Sequence, residues 1–541
     1  MASQILLIAM VLLICVFSDR LSGKIGVPAL LLFIGIGILF GSDGLFKIPF
    51  EDYSFASSVC EIALIIIMFT GGFAVKWEAA KPVIVKSCLL STLGVVITAC
   101  ATMLFCRFAL SMAWTESFLL GAVISSTDAA SVFSVLRSRR LNLKNGLAPL
   151  LEVESGSNDP FSYMLTVIAL ALMNGQGAGF VWYLVFAQIV FGALGGVLVG
   201  MVAVYVAKRV KTSSDGFEVI LFLASALLAY ALPSLFSGNG YLSVYIAGVI
   251  MGNADIPKKR EAVTFLNGVT GLAQIAVFFL LGLLSSPSTF PASMIPAILI
   301  YLFLTIVSRP LAVLILGGKS PIKDRIFISF AGLRGASSIV FAIMATVDEA
   351  HTVSNVFNIV FCVCLLSMIG QGSLLPFAAK KLGLIDNSSD VLKTFNDYKE
   401  ESSITMMRMF VPAGHPWEDK QLSEVVLPTG SLAVMIKRGD ENIIPKGSTV
   451  IRAEDSVVLS VPPYDSDRSF KLREIHISKK HHWAGMTIRE LKLPERLLVV
   501  MIKRGNESVI PSGATEILIG DTVVVTETED THIHTTAIAH T

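Results

Sequence analysis

The sequence predicts an all-α polytopic membrane protein with a C-terminal α+β module, and three observations predict it. The composition is too apolar for an aqueous fold. Apolar runs of bilayer length succeed one another over residues 1–382, and a tandem repeat of strand-like alternation fills most of the remainder. Of 541 residues, 54% are hydrophobic and only 15% are charged, a balance that domains surrounded by water do not reach. The formal net charge is +1, which gives no electrostatic footprint for nucleic acid, so the few charges carry information through their positions.

Thirteen apolar runs, near the roughly 20 residues that cross a bilayer, occupy 3–18, 26–42, 56–75, 82–107, 115–136, 147–173, 180–207, 216–235, 239–253, 264–285, 291–317, 324–347 and 353–380. The first, Ile5 to Phe17, has the length of a signal-peptide core, yet no basic stretch precedes it and no small-residue cleavage site follows it. It is read as a retained span. The intervening charges alternate as they must if each span has been found. Arg20 and Lys24, then Lys76, Lys81 and Lys86, then Arg137, Arg139, Arg140 and Lys144 fall on one side. So do Lys208, Arg209 and Lys211, Lys258 to Arg260, Lys319, Lys323 and Arg325, and Lys380 with Lys381. The opposite loops hold only Lys47 and Arg107, which places the N-terminus outside and the C-terminus in the cytoplasm.

Thirteen spans divide as six, one and six, relating the fifth to the twelfth as inverted repeats. Both carry a small, polar interruption, Ser125-Ser126-Thr127-Asp128-Ala129 in one and Gly332-Leu333-Arg334-Gly335-Ala336 in the other. Paired interrupted helices in inverted halves are how secondary transporters build a substrate site at mid-membrane. The seven cysteines lie in or beside apolar runs with no CxxC spacing and read as core thiols rather than a disulfide framework or zinc site. The eight histidines all lie outside the apolar runs, and a nucleophile with a membrane-embedded histidine base, which an intramembrane hydrolase would use, is absent. The chain is not read as an enzyme.

After a polar linker at 383–403, a repeat appears with an offset of 66 residues: Trp417 returns as Trp483, Pro428 as Pro494, Val434 to Gly439 as Val500 to Gly505, Pro445 as Pro511, Gly447 as Gly513 and Asp455 as Asp521. The two units are placed at 404–464 and 470–530. Each reads as a hairpin turning at Arg-Gly-Asp or Arg-Gly-Asn, with further short strands and one short helix, near Leu422 in the first and at Ile488 to Leu491 in the second.

A carboxylate at the centre of a spanning helix costs roughly 2.5–3.5 kcal/mol. Asp128 lies midway along the fifth span, and the sixth carries Glu152, Glu154 and Asp159. On a helix Ser155 and Asp159 share one face, Glu154 and Asn158 the adjoining one, which makes a wall of oxygens. Hard cations prefer oxygen ligands, and a carboxylate holds either a cation or a proton. Competition for one carboxylate is sufficient for exchange. Arg334, deep in the twelfth span, is the expected partner of Glu154, while Arg309, before Pro310 and near the cytoplasmic end, is expected to snorkel.

Thr127-Asp128, Glu154-Ser155-x-x-Asn158-Asp159 and Gly332-Leu333-Arg334-Gly335-Ala336, in this order and in the fifth, sixth and twelfth spans, resemble the monovalent cation:proton antiporter family in its sodium/proton and potassium/proton exchanger branch. The resemblance implies a homodimer, with a dimerisation domain and a mobile core holding two crossed, interrupted helices. It implies that Asp159 carries cation and proton, with Ser155, Thr127 and Asp128 at the ion. Asn158 then holds the unwound fifth span, and Glu154 pairs with Arg334. Asparagine at 158, where a second aspartate would otherwise stand, is the pattern associated with electroneutral exchange. Ala129 after Thr127-Asp128, and Pro160 after Asn158-Asp159, resemble the bacterial potassium/proton subgroup. The tandem units resemble the TrkA-C type of ligand-binding module; no GxGxxG half precedes them. The expectation is therefore potassium (or sodium) exchange for protons, with no required cofactor. A regulatory small-molecule or nucleotide ligand at the repeats stays open beside a module that only assembles. The rival is a cation channel or uniporter gated by that module, against which stands the lack of a TVGYG-like filter.

Overall fold

The computed structural model describes residues 2–25, 29–139, 141–209, 215–256, 259–318, 320–348, 355–385, 405–427, 431–439, 441–461, 471–478, 481–491, 493, 497–504, 507–509 and 511–527. Arg140, Lys211, Lys258, Lys319, Pro428, Asp440, Pro494, Gly505, Asn506, His532 and His534, and the linker from 386 onward, lie outside them. Two compact units form, Met1–Lys399 and Glu400–Thr541.

The first unit is a helical bundle. Its helices are α1 Ala2–Ile25, α2 Ala29–Phe40, α3 Tyr53–Ala74, the single turn α4 Trp77–Ala80, α5 Ile84–Ser91, α6 Leu93–Ala109, α7 Trp114–Ile124, α8 Ala129–Ser138, α9 Leu147–Met173 and α10 Ala178–Arg209. There follow α11 Asp215–Ser234, α12 Gly240–Asn253, α13 Lys259–Leu284, α14 Phe290–Phe303, α15 Arg309–Leu316, α16 Ile322–Phe330, α17 Ala336–Val347, α18 Val356–Ser367 and α19 Ser373–Leu382. Among the described residues seven continuous stretches are long and apolar enough to cross a membrane, and five shorter helices are also apolar. Polar side chains start several helices: Asp52 accepts from the Phe55 N–H at 2.8 Å, Asn239 from Leu242 at 3.0 Å and Asn355 from Asn358 at 3.2 Å, each satisfying a donor that the first turn leaves free.

The outward faces are apolar. Leu194, Leu198, Met201, Val202 and Tyr205 of α10 are all exposed, an arrangement that water would penalise and lipid does not. Helix–helix contact instead relies on small residues. Gly72 of α3 lies against the Tyr245 carbonyl of α12, and Gly248 of α12 lies against the Phe69 carbonyl of α3, so that a Cβ at either would overlap backbone. All seven cysteines are free, but they are not all core thiols as expected: Cys88 and Cys100 are exposed on α5 and α6. A thiol is small and apolar enough to face lipid as readily as protein.

Two helices are interrupted. The chain leaves the helix between α7 and α8 at Ser125–Asp128 and again between α16 and α17 at Ala331–Gly335. Two π-helical segments, Leu304–Ser308 and Met368–Gly372, precede Pro310 and Pro376 and absorb the backbone bond each proline removes.

The second unit contains two four-stranded sheets. The first comprises β1 Thr405–Phe410, β2 Leu432–Arg438, β3 Glu441–Ile443 and β4 Ser456–Val461. The second comprises β5 Lys471–His476, β6 Leu497–Arg504, β7 Glu507–Val509 and β8 Thr522–Glu527. Both are antiparallel, in order β1-β4-β2-β3 and β5-β8-β6-β7. Even the bulge recurs, between Ala433 and Met435 and between Val499 and Met501. Each sheet has its own core, around Ile436 and Val457 in one and Ile502 and Val523 in the other. The short helix expected near Leu422 is a 3-10 turn, Leu422–Glu424, whereas Ile488 to Leu491 form turns and no helix.

Candidate ion site at the helix crossing

The two interruptions cross each other. The Asp128 N–H donates to the Leu333 carbonyl at 2.8 Å, and the Ser126 hydroxyl lies 3.1 and 3.2 Å from those of Ser337 and Ser338. Gly335 makes the close approach feasible, because a Cβ there would overlap the Asp128 side chain. An interrupted helix exposes four carbonyls at one stub and four N–H groups at the other, and in a membrane each must be met. Arg334 meets the carbonyl end of α7, its Nη1 donating to the Ser125 and Ser126 carbonyls at 2.9 and 2.7 Å. Asp128 meets the amide end of α8, accepting from the Ser131 N–H at 3.1 Å and the Ser131 hydroxyl at 2.6 Å. Positive charge therefore sits on a helix C-terminus and negative charge on an N-terminus, each matching the local dipole. Gln371, from the second π-helical segment, donates to the Phe330 carbonyl at 3.2 Å and accepts from Ser367 at 2.7 Å, while Ser367 receives the Arg334 N–H at 3.0 Å.

Helix α9 passes alongside and stitches the first interruption together. The Ser155 hydroxyl donates to the Thr127 carbonyl at 2.9 Å and accepts from the Ala129 N–H at 2.9 Å. Asn158 donates to the Thr127 hydroxyl at 2.5 Å, while its own buried carbonyl oxygen has no hydrogen-bond partner among the described residues. Asp159 is half-buried, and its Oδ1 accepts from the Ser337 hydroxyl at 2.8 Å. Among the described residues no basic side chain pairs with it. Pro160, immediately after, has its carbonyl bound by Asn239 of α12 at 2.7 Å.

The expected pairing of Glu154 with Arg334 is not the one the fold makes. Glu154 pairs with Arg309 at 2.5 Å, with both side chains almost fully buried (1% and 4% exposed). Arg309 therefore does not snorkel. The π-helical segment before it turns the guanidinium inward, against Gly332, where a Cβ would stand 3.0 Å from Nε. Arg334 is instead spent on helix carbonyls. The sequence reading brought Thr127, Asp128, Ser155, Asn158, Glu154, Asp159 and Arg334 to one region, and all seven meet there. It missed the direct partner of Asp159: Ser337 stands two residues beyond Gly335 in the first turn of α17, in a stretch whose polar character was visible although its role was not. Glu152 takes no part in the crossing contacts described above.

Two interrupted helices crossing inside an apolar bundle, with a carboxylate held at the crossing, define a polytopic secondary carrier. Residues 7–381 match the family model described as sodium/hydrogen exchanger, transmembrane, and 406–468 and 472–532 each match the TrkA-C domain. The chain belongs to the sodium/hydrogen exchanger family. It is 32% identical over 466 residues, 84% of this chain and 80% of the relative, to the K(+)/H(+) antiporter NhaP of Alkalimonas amylolytica. It is also 32% identical over 457 residues, 83% and 79% of the two chains, to the K(+)/H(+) antiporter NhaP2 of Shewanella baltica. The solved structure of the sodium proton antiporter MjNhaP1 from Methanocaldococcus jannaschii shares the fold, with a TM-score of 0.61 at 23% identity over 70% of this chain and 98% of that one.

Proposed function

We propose that the chain exchanges potassium, sodium or both for protons across the inner membrane, with Asp159 carrying one cation or one proton in alternation. One observation carries this reading. Asp128 is spent on the α8 terminus and Glu154 on Arg309, whereas among the described residues Asp159 meets neutral hydroxyls, that of Ser337 at 2.8 Å and that of Ser126 beside it, and no basic side chain. A carboxylate with a hydroxyl partner and no guanidinium is free to bind either ion. Loading a cation releases the proton and the reverse step takes it back, so one charge crosses in each direction and the cycle is electroneutral. The Thr127 carbonyl, the Ser155 hydroxyl and the unpartnered Asn158 oxygen offer the additional hard ligands an alkali cation needs. Asp128 adds negative potential beside them.

Thirteen crossings, with the N-terminus outside and the C-terminus inside, fit the helices or helix pairs that occupy each apolar run and the alternation of loop charge. The inverted repeat is supported by the matching interruptions, and a homodimer by the family. The relatives named as potassium antiporters favour potassium, and none of them supports the gated-channel alternative. The test is proton movement in liposomes challenged in turn with potassium, sodium and lithium, with membrane potential recorded. Exchange without generated potential supports the reading, whereas uncoupled cation current overturns it.

A further inference from the structure

Glu61 lies within the apolar length of α3 and is half-buried. Its carboxylate accepts a hydrogen bond from the Tyr230 hydroxyl of α11. From there the tyrosines continue inward. Tyr241 of α12 stands beside Tyr230, and Tyr163 of α9 beside Tyr241. The rings nest, with centroids 5.1 Å apart for Tyr230 and Tyr241 and 4.9 Å for Tyr241 and Tyr163, and the inner two pack on Phe341 of α17 at 6.0 and 5.8 Å. The three tyrosines are the titratable groups facing Glu61, and among the described residues no basic side chain pairs with it.

The position of this cluster is what gives it a role. Tyr163 follows Asp159 by four residues on α9, and Phe341 follows Ser337 by four on α17, so each sits about 6 Å further along its helix on the same face. The cluster therefore stands one turn beyond the Asp159–Ser337 pair, toward the end of the bundle bearing Met173 and Val347. It joins α9 and α17, which hold the site, to α3, α11 and α12, which flank them. A tyrosine hydroxyl can donate and accept at once, so each can take a proton on one side and release another on the next. We propose that Glu61 is a second proton-exchanging carboxylate of this carrier, and that Tyr230, Tyr241 and Tyr163 pass protons between it and Asp159. One proton leaves Glu61 and one arrives at Asp159, each hydroxyl being restored, with a water bridging the last turn. The proposal rests on Asp159 being the carrier.

The experiment uses the full chain in vesicles of known orientation, with pH set independently on the two sides. Glu61→Gln and Tyr230→Phe should each lose the dependence of exchange rate on pH at the Met173 side, keeping both the dependence on the opposite pH and the apparent cation affinity of the parent. Glu61→Asp should restore part of what Glu61→Gln loses. Should Glu61→Gln fail to fold, Tyr230→Phe, which retains the ring contacts, decides alone. A uniform fall in rate at every pH on both sides, or an unchanged two-sided profile, overturns the relay. Asp159→Asn, measured in parallel, separates the two ideas: if it still exchanges, the carrier reading fails, whatever Glu61 does.

Discussion

Arg309 and Arg334 both reach the middle of the bundle, one to meet a carboxylate and the other to meet carbonyls, and their substitution should read out differently. Removing one partner of a buried ion pair typically costs roughly 3–5 kcal/mol, because the other charge is left stranded. Glu154→Gln and Arg309→Gln should each lower thermal stability on that scale, and the double substitution should recover much of the loss. Combining Glu154→Gln with Arg334→Gln should be closer to additive, as the two share no hydrogen bond; a coupling larger than that with Arg309 would restore the pairing read from the sequence. Asp159→Asn should leave the protein folded, since Ser337 can donate equally well to an amide oxygen. It should lose both cation binding and cation-dependent proton movement, because an amide holds neither ion in exchange for the other. That Asp128, Glu154 and Asp159 would lie in one polar region was legible from their setting in apolar runs, whereas Glu61, in the third run, was not singled out. Which base each acid meets was not legible, because chain spacing fixes neighbours on one helix and leaves the register between helices to packing.

The interrupted helices were legible as elements for a similar reason: runs of Ser, Thr, Gly and charge inside apolar spans are costly unless the backbone there does something other than continue the helix. The π-helical segments were not, since their cause lies in Pro310 and Pro376 a few residues onward and in which side chain the surroundings need turned inward. Gly335 is the point on which the crossing depends. Gly335→Ala would drive a methyl group into Asp128, at an overpacking cost of about 1–3 kcal/mol, and would push the α17 stub, with Ser337, away from Asp159. Exchange should fall by far more than stability does. Equal exchange in Gly335→Ala and parent, measured on protein of matched insertion, would mean that the close approach is not required. Alanine at Gly71 of α3, where a Cβ would meet nothing within 4 Å, is the matched control and should change neither quantity.

At the scale of the molecule, a helical unit holding the candidate ion site is followed by two copies of one small sheet, and the same polar bond secures each copy. Arg438 donates to both Asp455 oxygens at 2.8 Å, and Arg504 to those of Asp521 at 2.9 and 2.8 Å. The Arg504 hydrogen bonds hold the Asp521 carboxyl below the usual aspartate range although burial pulls the other way. A lowered carboxylate value contributes stability above the ordinary aspartate range, and that stability is lost as pH falls through the lowered value. Amide exchange in β6 and β8 should therefore accelerate below about pH 4, and Asp521→Asn should show the fast exchange already at neutral pH. The sixty-six-residue offset made the duplication legible in the sequence; the strand order was not, because β4 reaches between β1 and β2 by long-range pairing that a local pattern does not encode. None of the carboxylates at the crossing lies in this second unit, so its removal is expected to change how exchange is regulated and to leave exchange itself in place. The helical unit does not stop at α19, however. Leu384 is buried, its carbonyl accepts the Lys144 N–H at 2.9 Å, and Ile385 bridges to Leu143. A truncation that tests the division must spare these contacts, and a stop after Asp390 does so. That protein should insert, fold and exchange cations for protons, with a shifted dependence on pH, ion or added nucleotide. Loss of all exchange in truncated protein of parental thermal stability would place an essential step in the repeats, and an unchanged profile under every condition would remove them from regulation.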